Sequence, residues 1–207
     1  MVNYGEAFKR PFQDIKKLLI GVVLYILPIV NFFAVGYQLN CAKSALKKDY
    51  KLPEWQNWGD LFVKGFLSAV IGIIYFIPAL IALMAAVGAA IFTYINQGTE
   101  AVMGLITGMG SGLIIFLILA LLAAYLSPMA ILSYVNTFKF GDAFNFRTIS
   151  KKAFTGKYFV VWLLMVLYVL ILGIILANIP FIGTAIAGFI VGVTAFTAYG
   201  EVFAEIK

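Results

Sequence analysis

The chain is 207 residues long, 63% hydrophobic and only 12% charged, with 15 Lys and Arg against 9 Asp and Glu. So little polar surface cannot cover a soluble globule of this size, and a mean hydropathy of +1.02 marks an integral membrane protein in place of a basic nucleic-acid binder. Histidine is absent and Cys41 is the only cysteine, which excludes an intramolecular disulfide, the usual His/Cys zinc sites and Ser-His or Cys-His nucleophile pairs.

Tyr4, Phe8, Phe12, Ile15 and Leu19 recur at spacings of four and three among charged residues, predicting an amphipathic interfacial helix over about 4–17 in which Pro11 either makes a bend or starts a second part. Glu6, Lys9, Arg10, Asp14, Lys16 and Lys17 leave no cleavable signal in this segment, so the N-terminus is expected to be the mature one.

The apolar run that follows is expected to turn back at Pro28, giving two short spans over about 18–28 and 29–45. Two features favour the hairpin. Ile26-Leu27-Pro28-Ile29-Val30-Asn31 resembles Asn178-Ile179-Pro180-Phe181-Ile182-Gly183, which separates two runs each long enough to span. Basic residues also flank the run on both sides, and a single crossing would put one group on the wrong face.

Trp55 and Trp58 suit the headgroup layer, where indole keeps its N–H wet. Further spans are expected over about 62–94, 112–135, 158–178 and 182–204, with kinks at Pro28, Pro78, Pro128 and Pro180. The glycine-rich stretch 96–112 reads as an external loop, and Phe140 with Phe144 opens a second interfacial helix over about 140–156.

The fold class is thus an all-α integral membrane protein, a single membrane domain over 1–207, with six transmembrane helices arranged as hairpins plus two amphipathic interfacial helices. In that topology all 15 basic residues fall on one face, which places both termini in the cytoplasm and the protein, multi-pass, in the cell membrane.

Leu52-Pro53-Glu54-Trp55, then Trp58-Gly59-Asp60-Leu61-Phe62 and Gly65, followed by Tyr75 to Pro78, resembles the membrane-protein family catalogued as domain of unknown function 4013, found in archaea and bacteria. The resemblance covers most of the chain, implies a compact polytopic membrane domain and supplies no activity. The layout is more distantly similar to the membrane domain fused to some glycerophosphodiester phosphodiesterases, which brings no catalytic residues.

One five-residue pattern, aromatic-Gly-acid-apolar-Phe, occurs four times, beginning at Tyr4, Trp58, Phe140 and Tyr199, and takes up four of the 9 acids. Each copy borders an apolar run. Glu6, Asp60 and Asp142 would lie in first helical turns and interact with the helix dipole by roughly 0.3–1 kcal/mol, whereas Glu201 lies at a helix end. The preceding Gly allows a turn, and the two aromatics share a helix face. The sharper alternative is convergence of the four acids on a cytoplasmic vestibule that binds a cation.

The helices carry almost no ionisable residue at mid-depth, which counts against an ion-coupled pump. Asn31, Ser68, Ser127, Ser133, Asn136, Thr184, Thr194 and Thr197 are expected to serve packing and kinks. Tyr-x-x-Pro recurs at Tyr25, Tyr75 and Tyr125, and Gly183, Gly188 and Gly192 suit close helix approach, either inside the bundle or at an oligomer face.

Lys16, Lys17, Lys47, Lys48, Lys151 and Lys152 are expected to meet anionic lipid headgroups, at roughly 1 kcal/mol each. Tyr4, Phe8, Phe140 and Phe144 join the two tryptophans as interfacial anchors. The partners expected are membrane lipids and a homo-oligomer or larger membrane complex, without nucleic acid. No catalytic residue, metal or cofactor is expected. The reading that results is a non-enzymatic scaffold, accessory subunit or lipid-organising component. The alternative is a passive channel or permease with an acidic cytoplasmic mouth.

Overall fold

The structure is a computed structural model that describes residues 2–97, 102–179 and 182–206. Among these residues it is helical without a strand: α1 (Tyr4–Lys9), α2 (Ile15–Ile26), α3 (Asn31–Ala45), α4 (Trp58–Gln97), α5 (Val102–Thr137), α6 (Phe146–Ala153), α7 (Gly156–Leu176) and α8 (Ile182–Glu205), with 3₁₀ turns at Arg10–Phe12 and Phe140–Phe144. The kink expected at Pro180 lies outside the described residues.

The helix expected over 4–17 is divided. Asn3 caps α1 by accepting from Glu6 N at 3.2 Å, the chain tightens into a 3₁₀ turn at Pro11, and Asp14 starts α2 afresh by accepting from Lys16 N at 2.9 Å and Lys17 N at 3.2 Å. Pro11 has no N–H to continue α1, and a capping carboxylate ends one helix as it begins the next. Lys16 and Lys17 therefore sit in the first turn of α2. The second expected interfacial segment is likewise a 3₁₀ turn followed by the eight-residue α6.

The turn between α2 and α3 is where Pro28 was expected to place it. Val30 N donates to Pro28 O at 2.8 Å, and Ile29 takes φ 70°, an uncommon backbone for a β-branched residue. Pro28 is thus a hairpin turn, not a kink within a helix. With 12 and 15 residues, α2 and α3 are about 18 and 22 Å long, short of the roughly 30 Å hydrocarbon layer. Among the described residues, four helices are long and apolar enough to cross a bilayer: α4, α5, α7 and α8.

The expected loop over 96–112 is helical wherever the structure describes it, since α4 continues through Gln97 and α5 begins at Val102. In apolar surroundings a helix satisfies its own backbone, which outweighs the loop preference of glycine. Gly112 shows the use made of such a residue, because a Cβ there would come within 2.2 Å of Ala86 Cβ on α4. Pro78 and Pro128 lie inside α4 and α5, where each removes one backbone hydrogen bond.

The chain forms two compact units, Met1–Val70 with Pro128–Lys207, and Ile71–Ser127. The second consists of the distal stretches of α4 and α5, with exposed Ile73, Ile81, Phe92 and Ile95. In the first, α8 is the central helix, flanked by α3, α7, α2 and α1, and its stretch from Val193 to Phe203 is almost wholly buried. Glycines decide what reaches it. Gly188 admits the Tyr25 ring and Gly192 the Gln38 amide, each at 2.4 Å or less from where a Cβ would stand, so the glycine face of α8 receives the α2–α3 hairpin.

A second backbone contact joins α3 to α4. A Cβ on Gly36 would stand 1.9 Å from Leu61 O, and one on Gly65 would stand 1.9 Å from Phe32 O. The two glycines are reciprocal, so α3 and α4 touch main chain to main chain.

Candidate functional site

The fourth residue of the recurring pattern has one role in all four copies: Ala7, Leu61, Ala143 and Val202 are each 0% exposed. The first copy starts α1, the second α4 and the third a 3₁₀ turn, while the last lies in the final turns of α8. The glycines are less uniform than the sequence suggests. Gly59 and Gly141 have open space where a Cβ would go and Gly5 meets only Asn3 Oδ1 at 3.5 Å, whereas Gly200 is closed in by Ala42 O at 2.6 Å.

The acids fall into two neighbourhoods. Glu201 is 1% exposed and accepts from Asn3 N at 2.9 Å, next to the copy that contains Glu6. The Tyr50 hydroxyl faces it, and burial followed by the Glu201 carboxylate pushes the Tyr50 phenol up to about 12. Asp60 pairs with Lys64 on α4, and Asp142 accepts from the Thr137 hydroxyl. Lys64 lies 4.0 Å from the centre of the Phe138 ring, so Asp60 and Asp142 flank one short segment, Thr137-Phe138.

The side chain that the sequence reading missed is Arg10, which was counted with the interfacial basic residues. It is fully buried. Its Nη1 donates to Cys41 O at 2.8 Å and Thr197 Oγ1 at 3.0 Å, and its Nη2 donates to Ser44 Oγ and to Lys51 O at 2.8 Å. The 3₁₀ turn at Pro11 carries the guanidinium into the junction of α3, the following loop and α8. One signal was available: Arg10 and Arg147 are the only arginines among 15 basic residues, and a planar guanidinium addresses several acceptors where an ammonium cannot.

The expected headgroup lysines divide as well. Lys17 pairs with Glu54 at 2.7 Å and donates to Leu52 O at 3.3 Å. Lys152 donates to Phe203 O at 2.9 Å and to Ile206 O, over the Phe203 ring, which ties α6 to the end of α8. Lys16, Lys47, Lys48 and Lys151 are exposed. The two tryptophans differ in the same way. Trp55 stacks on Tyr37 at 4.0 Å and donates to Lys17 O at 3.3 Å, a packing role, whereas Trp58 is 44% exposed. Phe8 packs edge-on against Tyr168 at 4.8 Å, and Phe140 against Phe144 at 5.2 Å.

A groove of about 680 Å³ opens beside the hairpin, lined by residues of α2, α3 and α8, the start of α4, Ile131 of α5 and the far end of α7. Its walls are mostly apolar, with Asn31, Gln38, Ser68 and Thr184 among them. Gln38 donates to Gly188 O at 3.2 Å and Ser68 to Gly65 O at 2.8 Å, while Asn31 Oδ1 is buried without a hydrogen-bond partner. Beyond the α3–α4 crossing, a smaller cleft of about 470 Å³ is lined by Lys43, Lys47, Lys51 and Lys64 together with Asp49, Glu54 and Asp60. Among the described residues no three of His, Cys, Asp or Glu gather closely enough to hold a metal ion.

No curated protein matches the chain. No solved structure matches it either. The family model described as protein of unknown function DUF4013 matches residues 19–181, from the middle of α2 through the end of α7. The chain belongs to this DUF4013 family of proteins of unknown function.

Proposed function

We propose that this protein is a non-enzymatic membrane component that organises anionic lipid at the cytoplasmic face of the cell membrane, serving as a scaffold or accessory subunit. One observation carries the reading, the segregation of charge from apolar surface. The exposed faces of α4, α5 and α7 hold Ile73, Ile81, Ile118, Leu121, Leu170 and Ile174, while the lysines collect in the connecting segments and at helix ends. Uncharged helices surrounded by hydrocarbon and basic segments against headgroups give a protein whose main ligand is the bilayer itself. Two of the large buried polar side chains are engaged in the fold: Arg10 binds main chain and hydroxyls, and Gln38 binds α8 carbonyls.

In this topology both termini are cytoplasmic and α2–α3 enters and leaves on the cytoplasmic side, as the first of three hairpins. Cysteine labelling at Lys9 and Lys47 tests it: modification from the same side is expected, and opposite sides overturn the hairpin. The lipid role is tested by extraction from native membranes in detergent-free discs. Enrichment of anionic phospholipid over the bulk supports it, and bulk composition refutes it.

A second reading, a passive channel or permease with an acidic mouth, is favoured by Asn31, whose unpartnered Oδ1 lines the groove. Liposome flux that changes selectivity in Asp60→Asn/Asp142→Asn supports that alternative, and an absence of flux removes it.

A further inference from the structure

Lys43 and Lys64 come from different helices, α3 and α4, yet both ammonium groups lie over one ring. Lys64 Nζ is 4.0 Å and Lys43 Nζ 5.6 Å from the centre of Phe138. Two like charges held at one place repel, and among the described residues only Lys64 has a carboxylate on it, that of Asp60. The arrangement is built from fixed partners: Lys64 donates to Asn40 Oδ1 at 3.1 Å, and Lys43 donates to Asn136 O.

Phe138 is held in an unusual way. It follows the end of α5 with φ 56°, the left-handed conformation in which glycine or asparagine commonly ends a helix. A bulky residue is strained there. What it achieves is to set an aromatic face beneath two ammonium groups, with Tyr134 edge-on behind it at 5.5 Å.

The same three helices lead from this point to the apolar groove. Ser68 lies four residues beyond Lys64 on α4, Val35 eight residues before Lys43 on α3, and Ile131 five residues before Asn136 on α5, and all three line the groove. At 1.5 Å per residue these separations are roughly 6–12 Å, the distance over which a phospholipid passes from phosphate to the start of its acyl chains.

We infer that the junction of α3, α4 and α5 is a binding site for a single anionic phospholipid, its phosphate between Lys43 and Lys64 above Phe138 and an acyl chain in the groove beside Val35, Ser68 and Ile131. This rests on the lipid-organising reading above and narrows it from basic surfaces in general to one built site. The phosphate offsets the repulsion between the two ammonium groups, and charge-assisted hydrogen bonds from both would hold it. The groove supplies apolar contact that a soluble phosphate lacks.

Native mass spectrometry of the full chain, released from micelles doped with phosphatidylglycerol, phosphatidylcholine or sn-glycerol 3-phosphate, tests the assignment. One phosphatidylglycerol should be retained per chain, the choline lipid should be retained at least tenfold less, and glycerol phosphate should not compete. Lys43→Gln should cut retention about tenfold while unfolding within 2 °C of wild type. Ile131→Trp, which fills the groove while leaving both lysines, should cut it as well. Competition by glycerol phosphate alone would replace the lipid by a soluble phosphate. Retention unchanged in both variants would overturn the site yet leave the general lipid reading standing. If no anionic phospholipid is retained over phosphatidylcholine by the wild type, both fall.

Discussion

Replacing Arg10 should reveal how far a buried guanidinium organises the cytoplasmic end. Its four acceptors come from α3, the segment after α3, and α8, so one side chain joins three pieces of chain. Hydrogen bonds to charged groups contribute about 1.5–3 kcal/mol each, and the two fully buried ones, to Cys41 O and Thr197 Oγ1, give about 3–6 kcal/mol. Two effects reduce this figure. Ser44 Oγ already donates to Cys41 O at 3.1 Å, and the Thr197 hydroxyl donates to Val193 O at 2.6 Å, so each group keeps one hydrogen bond. Removing the residue also removes the cost of burying a charge.

A net loss of about 3 kcal/mol is therefore expected for Arg10→Ala, which lowers Tm on the order of 10 °C for a chain of this length. Arg10→Lys should recover less than half, because one ammonium cannot serve acceptors that two Nη atoms divide. Thermal unfolding in lipid nanodiscs measures both. An Arg10→Ala variant within 2 °C of wild type, or an Arg10→Lys variant equal to it, would refute the idea that the guanidinium fork is what joins the three segments.

The glycines provide a paired comparison in the same assay. Gly36→Ala and Gly65→Ala each drive a Cβ to 1.9 Å from a main-chain oxygen and should cost about 1–3 kcal/mol or more, whereas Gly59→Ala and Gly141→Ala enter open space and should stay within about 0.5 kcal/mol. Lys152→Met should free the end of α8, read as faster amide exchange over 200–206, with exchange in α7 unchanged. An unchanged rate there would remove the tie between α6 and α8. The Tyr50 phenol should ionise well above the ordinary tyrosine range. Because its folded pKa is raised, it contributes stability that is fully present below about pH 10 and is lost as pH rises towards about 12. The phenolate absorbance lost in Tyr50→Phe reports this titration, and Glu201→Gln should move it down. A midpoint near 10 in wild type would contradict the contact.

Much of the helical layout was legible because apolar run length and proline position act locally. Pro28 turns a hairpin, and α7 and α8 fall where two long uncharged runs lie. The bounds of α2 and α3 were off by two or three residues, since an apolar run does not show how much of itself Asp14 and the Leu27–Val30 turn will take. Residues 96–97 and 102–112 were misread because glycine favours loops in water, while an apolar environment keeps these described residues helical and uses glycine for contact, as Gly112 does.

The recurring motif was legible as a boundary marker, but its working position is the buried fourth residue, not the glycine. Lys17, Lys152 and Arg10 each looked like surface charge and each is drawn inward by a partner far away in sequence: Glu54, the end of α8, and Thr197. Pairings of that kind depend on tertiary distance and leave no periodic trace. Phe138 is illegible for a related reason, since nothing in its neighbours announces a left-handed backbone.

The most direct test of a lipid-organising role is the phospholipid composition of native discs that hold the full chain, compared with discs drawn from the same membrane around an unrelated multi-pass protein. Enrichment of anionic phospholipid of at least about threefold, largely abolished when Lys43 and Lys64 are both changed to Gln, is expected. Equal compositions in the two sets of discs would contradict it.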